Sequence, residues 1–203
     1  MEIILATTNP SKAEQIKAMF KDPSIKILTS GEIGISDEAV EDGETLEENA
    51  LKKARFVHNH LKNGDKEFWA MADDTGIFID TLNGEPGIKS ARWAGENIAR
   101  ENITEYCLKR MENVEDRSAT FRTVAVIISP EGKEYVFNGE VKGSMLNYAK
   151  VKAQPRMPYS PLFMPEGTSK VLAEMTVEEE NKISHRGRAF KQVVDFLESF
   201  SKK

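Results

Sequence analysis

Apolar positions along the chain follow two periods. Glu2 to Ala6 is a short run of strand character, and Ser11 to Phe20 places Ala13, Ile16, Met19 and Phe20 at helical spacing. Ile25 to Leu28 predicts a second short strand. The clearest helical stripe is Leu46, Ala50, Ala54, Val57 and Leu61, whose opposite face is strongly charged. Phe68 to Ala72 and Ile77 to Asp80 are apolar runs of buried-strand type, interrupted by Asp73-Asp74-Thr75-Gly76. Ile98 to Met111 predicts a helix with a mixed face carrying Ile103, Tyr106, Cys107 and Arg110. Thr120 to Ser129 and Glu134 to Val141 read as a hairpin around Pro130-Glu131-Gly132-Lys133. Gln154 to Pro165 is a loop, because Pro155, Pro158, Pro161 and Pro165 remove backbone donors and restrict the residues before them. Phe190, Val193, Val194, Leu197 and Phe200 form a final core-facing helical stripe. Interspersed strands and helices predict a mixed α/β architecture. No repeat or linker is visible, so residues 1–203 are expected to form one domain.

Composition narrows the functional class. A chain of 203 residues with 39% hydrophobic content buries one sizeable core, with room for a division into two lobes. A net charge of -5 with scattered lysines and arginines argues against a nucleic-acid surface and against polybasic membrane attachment, leaving a small-molecule partner. Cys107 is the single cysteine, so no intramolecular disulfide or cysteine-rich metal site is available. The first residues, Met1-Glu2-Ile3-Ile4-Leu5-Ala6, lack a basic leader, and no apolar run approaches the roughly 18 residues of a membrane span. A cytoplasmic protein is expected.

Three segments carry candidate chemistry. In Ala72-Asp73-Asp74-Thr75-Gly76 two adjacent carboxylates stand within a buried stretch, where a carboxylate needs a compensating partner. One of them facing a cation while the other anchors a turn is one reading. An Asx-turn with Gly76 in a left-handed conformation is the other. Thr7-Thr8-Asn9-Pro10-Ser11-Lys12 leads from a strand into a helix, where free N–H groups, hydroxyls and a lysine suit a phosphate. Ordinary capping by Asn9 or Ser11 explains the same residues. The glycines of a Walker loop or a dinucleotide fingerprint are absent. On the second helix Glu44, Glu48 and Lys52 share a face, with Asn49 and Lys53 beside them and Glu41 just ahead, a supply of metal ligands and phosphate contacts. Thr45-Leu46-Glu47-Glu48 is also a capping box in which Glu48 bonds back to the Thr45 amide. His185 and Arg186, just before the last helix, suit a base or a phosphate, or form a plain surface pair.

Taken in order, these segments resemble the inosine triphosphate pyrophosphatase family, the Ham1 type of house-cleaning nucleotide hydrolase. The resemblance rests on Ala6 to Lys12, Glu48-Asn49-Ala50 with Lys53-Ala54, Ala72 to Gly76, Pro86 to Gly95, and Ser184-His185-Arg186-Gly187. It implies an elongated α/β fold with a mixed sheet, flanking helices and two lobes around a central cleft. It further implies a homodimer that uses Mg²⁺ to hydrolyse a nucleoside triphosphate to a monophosphate and pyrophosphate. By position, Thr7, Thr8, Asn9 and Lys12 hold the triphosphate together with Lys53 and Thr75, which replaces the usual serine. Asp74 binds the metal and orients or deprotonates water, Glu41 is the second metal ligand ahead of Glu44 and Glu48, and His185 and Arg186 contact the base.

The departures fall at the base. The family's glycine-rich loop ends in Phe-Gly-Tyr-Asp-Pro, whereas this chain has Met157-Pro158-Tyr159-Ser160-Pro161, with Tyr159 and Ser160 left to meet the substrate. Glu180 stands where the family pattern has a lysine, reversing a charge. A hydroxyl in place of a carboxylate shifts discrimination between bases, so an altered base preference is expected. The rival readings are a non-catalytic nucleotide-binding relative, a proline motif at Pro155 to Pro161 for an aromatic groove on a partner, and the Maf type of pyrophosphatase. The serine- and arginine-rich first turn of the last is absent.

Overall fold

The structure, a computed structural model, describes residues 1–61, 67–95 and 102–201. Its strands are β1 (Glu2–Leu5), β2 (Lys26–Thr29), β3 (Trp69–Ile79), β4 (Pro86–Gly87), β5 (Ser118–Ile128), β6 (Glu134–Met145) and β7 (Phe163–Pro165). Its helices are α1 (Pro10–Lys17), α2 (Leu46–Leu61), α3 (Ile103–Arg110), α4 (Val177–Ile183) and α5 (His185–Ser201). The strands form one mixed sheet in the order β2-β1-β3-β5-β6-β7, with β4 paired to β3. β1 runs parallel to β2 and β3, and the remaining pairs are antiparallel, including the predicted β5–β6 hairpin. No helix among the described residues is long and apolar enough to cross a membrane.

Among the described residues, three apolar clusters surround this sheet. α2 lays Leu46, Ala50, Ala54 and Val57 on Ile4, Ala70, Ala72, Val124 and Val126. On the other face α1 and α5 cover Ile3, Leu5, Met71, Ala125 and Ile127. Further along that second face, a separate cluster joins Ile77, Ile79 and Phe121 to α3 and to Tyr159, Leu162, Phe163 and Leu172. β3 therefore carries Met71 in one cluster and Ile77 in another, with Asp73 and Thr75 between them on the same face. β5 repeats the pattern through Ala125, Thr123 and Phe121, and Thr123 pairs with Thr75 in the register. A polar layer thus separates the two clusters.

The elements correct the sequence reading at several points. The Asp73-Asp74 segment makes no turn, whether anchored by one carboxylate or of the Asx type, because β3 runs unbroken through it. Gly76 is not left-handed. A Cβ there would lie 2.5 Å from the Gly87 carbonyl oxygen, so its glycine permits the close approach of β4. α1 stops at Lys17, leaving Met19 and Phe20 beyond the helix but still packed on its cluster. The proline segment ends in strand β7 rather than remaining loop throughout, and its backbone pairs with β6. His185 and Arg186 do not precede the last helix but begin it. The predicted helix start at Ile98 lies outside the described residues.

Candidate active site

β1 pairs with β3 only as far as Met71, so the stretch Ala72–Gly76 runs on past the end of its parallel neighbour. The chain leaving β1 turns into α1 at this point, and the crevice outside the end of a parallel strand is where open α/β sheets bind ligands. A cavity of about 220 Å³ opens here, lined at one end by Thr7, Thr8, Asn9 and Lys12 and at the other by Phe121, Tyr159, Leu172 and His185.

Because neighbouring strand residues point to opposite faces, Asp73 and Asp74 each meet a lysine from a different helix. Lys12 Nζ of α1 lies 3.0 Å from Asp73 Oδ2, and Lys53 Nζ of α2 lies 2.8 Å from Asp74 Oδ1. Asp73 also accepts from the Thr75 hydroxyl at 3.0 Å and faces Arg186 Nε at 3.6 Å. Burial alone would raise its pKa, but Lys12, Arg186 and Lys53 together hold it well below the ordinary carboxylate value. Asp74 behaves in the opposite sense. Its burial raises the pKa above 3.8 even against Lys53, and the nearby Glu41 adds to the rise. Lys53 is desolvated too, yet Asp74, Asp73 and Glu41 raise its pKa, so it stays charged.

The phosphate-type end is assembled around the start of α1. Asn9 caps the helix by accepting from the Ser11 and Lys12 amides, and Pro10 occupies the first helical position. Capping and ligand binding are compatible here, since Lys12 and the hydroxyls of Thr7 and Thr8 still line the cleft. Thr8 Oγ1 donates to Glu38 Oε1 at 2.6 Å and accepts from Arg156 Nη1 at 2.8 Å, linking the two rims of the cleft.

Glu41 sits 3.7 Å from Lys53 Nζ, on a loop held by Arg92 through the Glu41 carbonyl and by Asn49 through the Gly43 amide. Glu48 does not bond back to the Thr45 amide; its carboxylate takes the Glu44 amide at 2.7 Å, one residue earlier, while Thr45 Oγ1 accepts from the Glu48 amide. Glu48 is therefore occupied with capping. Glu44 is exposed and, like Glu48, does not line the cleft, whereas Glu41 does. Among the described residues Asp74 Oδ2 is buried with no hydrogen-bond partner, an acceptor that fits a cation. Among the described residues no three Asp, Glu, His or Cys side chains converge on one point. The donor set fits a magnesium-type ion, which is held by one or two carboxylates and completed by water and phosphate oxygens.

The apolar end contains the predicted base residues, but in altered roles. His185, 2% exposed, stacks on Phe121 with ring centroids 4.5 Å apart and planes 9° from parallel. Burial and the adjacent Arg186 push its pKa well below 6.5, so the ring is neutral. Gly139 of β6 allows this placement, because a Cβ there would overlap the His185 carbonyl in the first turn of α5. Arg186 is no surface pair: it is fully buried, with Nη1 donating to Gln15 Oε1 and the guanidinium facing Asp73 and Thr75. The Tyr159 hydroxyl donates to the Ser90 carbonyl at 2.8 Å, and the Ser160 hydroxyl to the Met157 carbonyl at 2.7 Å. Both hydroxyls line the cleft while spent on the protein itself.

Three contributors carry no signal in the sequence, and a fourth takes an unexpected role. Asp73, by its pattern a cation ligand or a turn anchor, instead gathers Lys12, Arg186 and Thr75. Gln15 and Thr123 hold the buried polar layer but stand alone in otherwise apolar stripes, with no signal to mark them. Phe121 is one aromatic in a strand pattern, and only the fold brings it against His185.

A sequence model of the Ham1 family matches residues 3–196. A dITP/XTP pyrophosphatase of Caldanaerobacter subterraneus subsp. tengcongensis is 40% identical over 199 residues, covering 97% of this chain and 96% of that protein. One from Clostridium perfringens is 40% identical over 204 residues, covering 99% of both. The structure of the Staphylococcus aureus Ham1 protein superposes with a TM-score of 0.81 at 33% identity, covering 98% of this chain and 99% of that one. A Ham1 protein from Coxiella burnetii also gives 0.81, at 30% identity and the same coverage.

Proposed function

The chain belongs to the Ham1 family, and from that premise we propose that it is a pyrophosphohydrolase of non-canonical purine nucleoside triphosphates. It converts a substrate of the dITP or XTP type and water to the monophosphate and pyrophosphate. The observation that carries this reading is the pair of lysine–aspartate contacts on opposite faces of β3, Lys12 with Asp73 and Lys53 with Asp74, meeting in one cleft.

The two pairs divide the work. Lys12 and the start of α1, with the Thr7 and Thr8 hydroxyls beside them, attract the polyphosphate, while Asp73 holds Lys12 and Arg186 in place. Asp74, whose pKa burial has raised, is the general base. Water oxygen bonds to the α-phosphorus as the bond from that phosphorus to the bridging oxygen of the β-phosphate breaks. The water proton passes to Asp74, and pyrophosphate leaves with the bridging oxygen. Lys53 neutralises charge on the expanding phosphate and releases Asp74 Oδ1 as it does so. Asp74 and Glu41 would hold Mg²⁺, which supplies neutralisation of phosphate charge and an acidified water. The stacked Phe121 and His185, with Tyr159 and Leu172, bound a flat apolar end suited to a base.

Pyrophosphate release from ITP, XTP, dUTP and the four standard triphosphates in excess Mg²⁺ tests the reading. Hydrolysis with a marked preference among bases is expected, and Asp74→Asn should abolish it while leaving the circular dichroism spectrum unchanged. Nucleotide binding without any hydrolysis would instead establish a non-catalytic relative. The same reading includes a homodimer in the cytoplasm, to be checked by light scattering and cell fractionation.

A further inference from the structure

The cations that line the cleft are mostly matched by carboxylates. Lys12 and Arg186 face Asp73, and Lys53 faces Asp74 and Glu41. Arg156 is the exception: among the described residues it lines the cleft with no carboxylate as an ion-pair partner. Its Nη1 donates to the Thr8 carbonyl at 3.0 Å and to Thr8 Oγ1 at 2.8 Å, while Nε and Nη2 donate to no other described group. Its backbone is unusual as well. Arg156 has a φ of 59°, a left-handed conformation that residues other than Gly, Asn and Asp rarely adopt. Two side chains from the start of α1 hold the segment there, Asn9 Nδ2 donating to the Arg156 carbonyl at 3.3 Å and Ser11 Oγ to the Pro155 carbonyl at 3.1 Å. A strained residue fixed by its surroundings at the mouth of a cleft points to a task for its side chain.

Position says which part of a ligand that side chain meets. Asp74 is 6% exposed and Phe121 and Tyr159 at the apolar end are buried too, whereas Thr8, Glu38 and Arg156 form an exposed rim. With its α-phosphorus at Asp74 and its base inside, a bound triphosphate sends its outermost phosphate to that rim. Asp37 and Glu38 line the same rim and repel a phosphate that no cation faces. We infer that Arg156 counts phosphates: its guanidinium pairs with the terminal phosphate, so that the cleft prefers a triphosphate to the corresponding diphosphate. The planar fork offers two N–H groups to two phosphate oxygens, and the contact with Thr8 positions it beforehand. The inference rests on the proposed triphosphate hydrolysis and adds the group that recognises the end of the chain.

Calorimetry with the α,β-methylene analogues of ITP and IDP, whose α–β bridge cannot be cut, measures binding apart from hydrolysis. The wild type should bind the triphosphate analogue about tenfold more tightly or better. Arg156→Gln should remove most of that preference and leave the diphosphate affinity unchanged, while Arg156→Lys, a charge without the fork, should keep part of it. Arg156→Gly suits the left-handed backbone, so it should match the wild type in circular dichroism and urea midpoint yet lose the preference as Arg156→Gln does. Equal affinity of the wild type for both analogues overturns the inference. So does an equal loss on both in Arg156→Gln, the mark of a strap that only ties the 154–162 segment to Thr8. Pyrophosphate release from ITP separates this from the underlying reading. If pyrophosphate is released but the preference ignores Arg156, the hydrolase stands and the counting of phosphates falls. If nothing is hydrolysed and affinity still follows phosphate number through Arg156, the recognition stands and the hydrolase falls.

Discussion

Asp73→Asn removes one negative charge from the most enclosed point of the molecule. The Asp73 side chain is 1% exposed and Arg186 2%, while Lys12 retains 18%. Without the carboxylate, two cations share a pocket in which Asp73 was the nearest counter-charge. Breaking a buried pair in this way costs about 3–5 kcal/mol, because the partner charge remains desolvated. Asparagine keeps an acceptor for Thr75 and Lys12, and Glu180 still faces Arg186, which places the expectation near 3 kcal/mol. With a urea slope of about 2–3 kcal/mol per molar, the unfolding midpoint should fall by about 1–1.5 M. Trp69 lies in the cluster under α5 and reports the transition by fluorescence. The dependence on pH has a definite sign. Asp73 is more acidic in the folded protein than a free aspartate at 3.8, so its contribution is complete above that value and disappears as pH falls toward the folded one. The difference between wild type and variant should therefore be constant from pH 7 to 5 and shrink only below about 4. A loss under about 1 kcal/mol at pH 7 would show that water reaches the cluster, and the account of the polar layer would be wrong.

Two other perturbations probe different parts of the fold. Gly76→Ala brings a methyl group against the Gly87 carbonyl oxygen and should cost about 2–4 kcal/mol in chemical denaturation; a neutral result means that β4 is free to move away. His185→Phe preserves the stack on Phe121 but removes a ring that is neutral when folded and takes up a proton below about pH 6.5 when unfolded. The wild type should lose up to about 1.4 kcal/mol per pH unit between 6.5 and 5 relative to that variant, and parallel stability profiles would rule out the buried neutral histidine.

Much of this architecture is legible in the chain. The α2 stripe from Leu46 to Leu61 and the β5–β6 hairpin follow from periodicity and turn chemistry, since each satisfies its pattern locally. β3 misleads for a physical reason. A central strand buried on both faces reads as unbroken apolar sequence, and its two aspartates look like an interruption because their partners, Lys12, Lys53 and Arg186, lie 21 to 113 positions away. The capping-box pattern puts Glu48 on the Thr45 amide, whereas it takes the Glu44 amide, because local geometry decides between adjacent donors. The hydroxyls of Tyr159 and Ser160 gave no sign that they would turn inward to the carbonyls of Ser90 and Met157.

The charged layer belongs to strands in the middle of the sheet, whereas Met157, Tyr159 and Ser160 ride on the 154–162 segment and Glu180 on the short helix α4. Altering Asp73 disturbs folding and chemistry together, but Met157 and Ser160 stand on a connecting segment, where exchange is better tolerated. Descendants of such a scaffold are free to acquire new diets of damaged nucleotide while the cutting step stays the same.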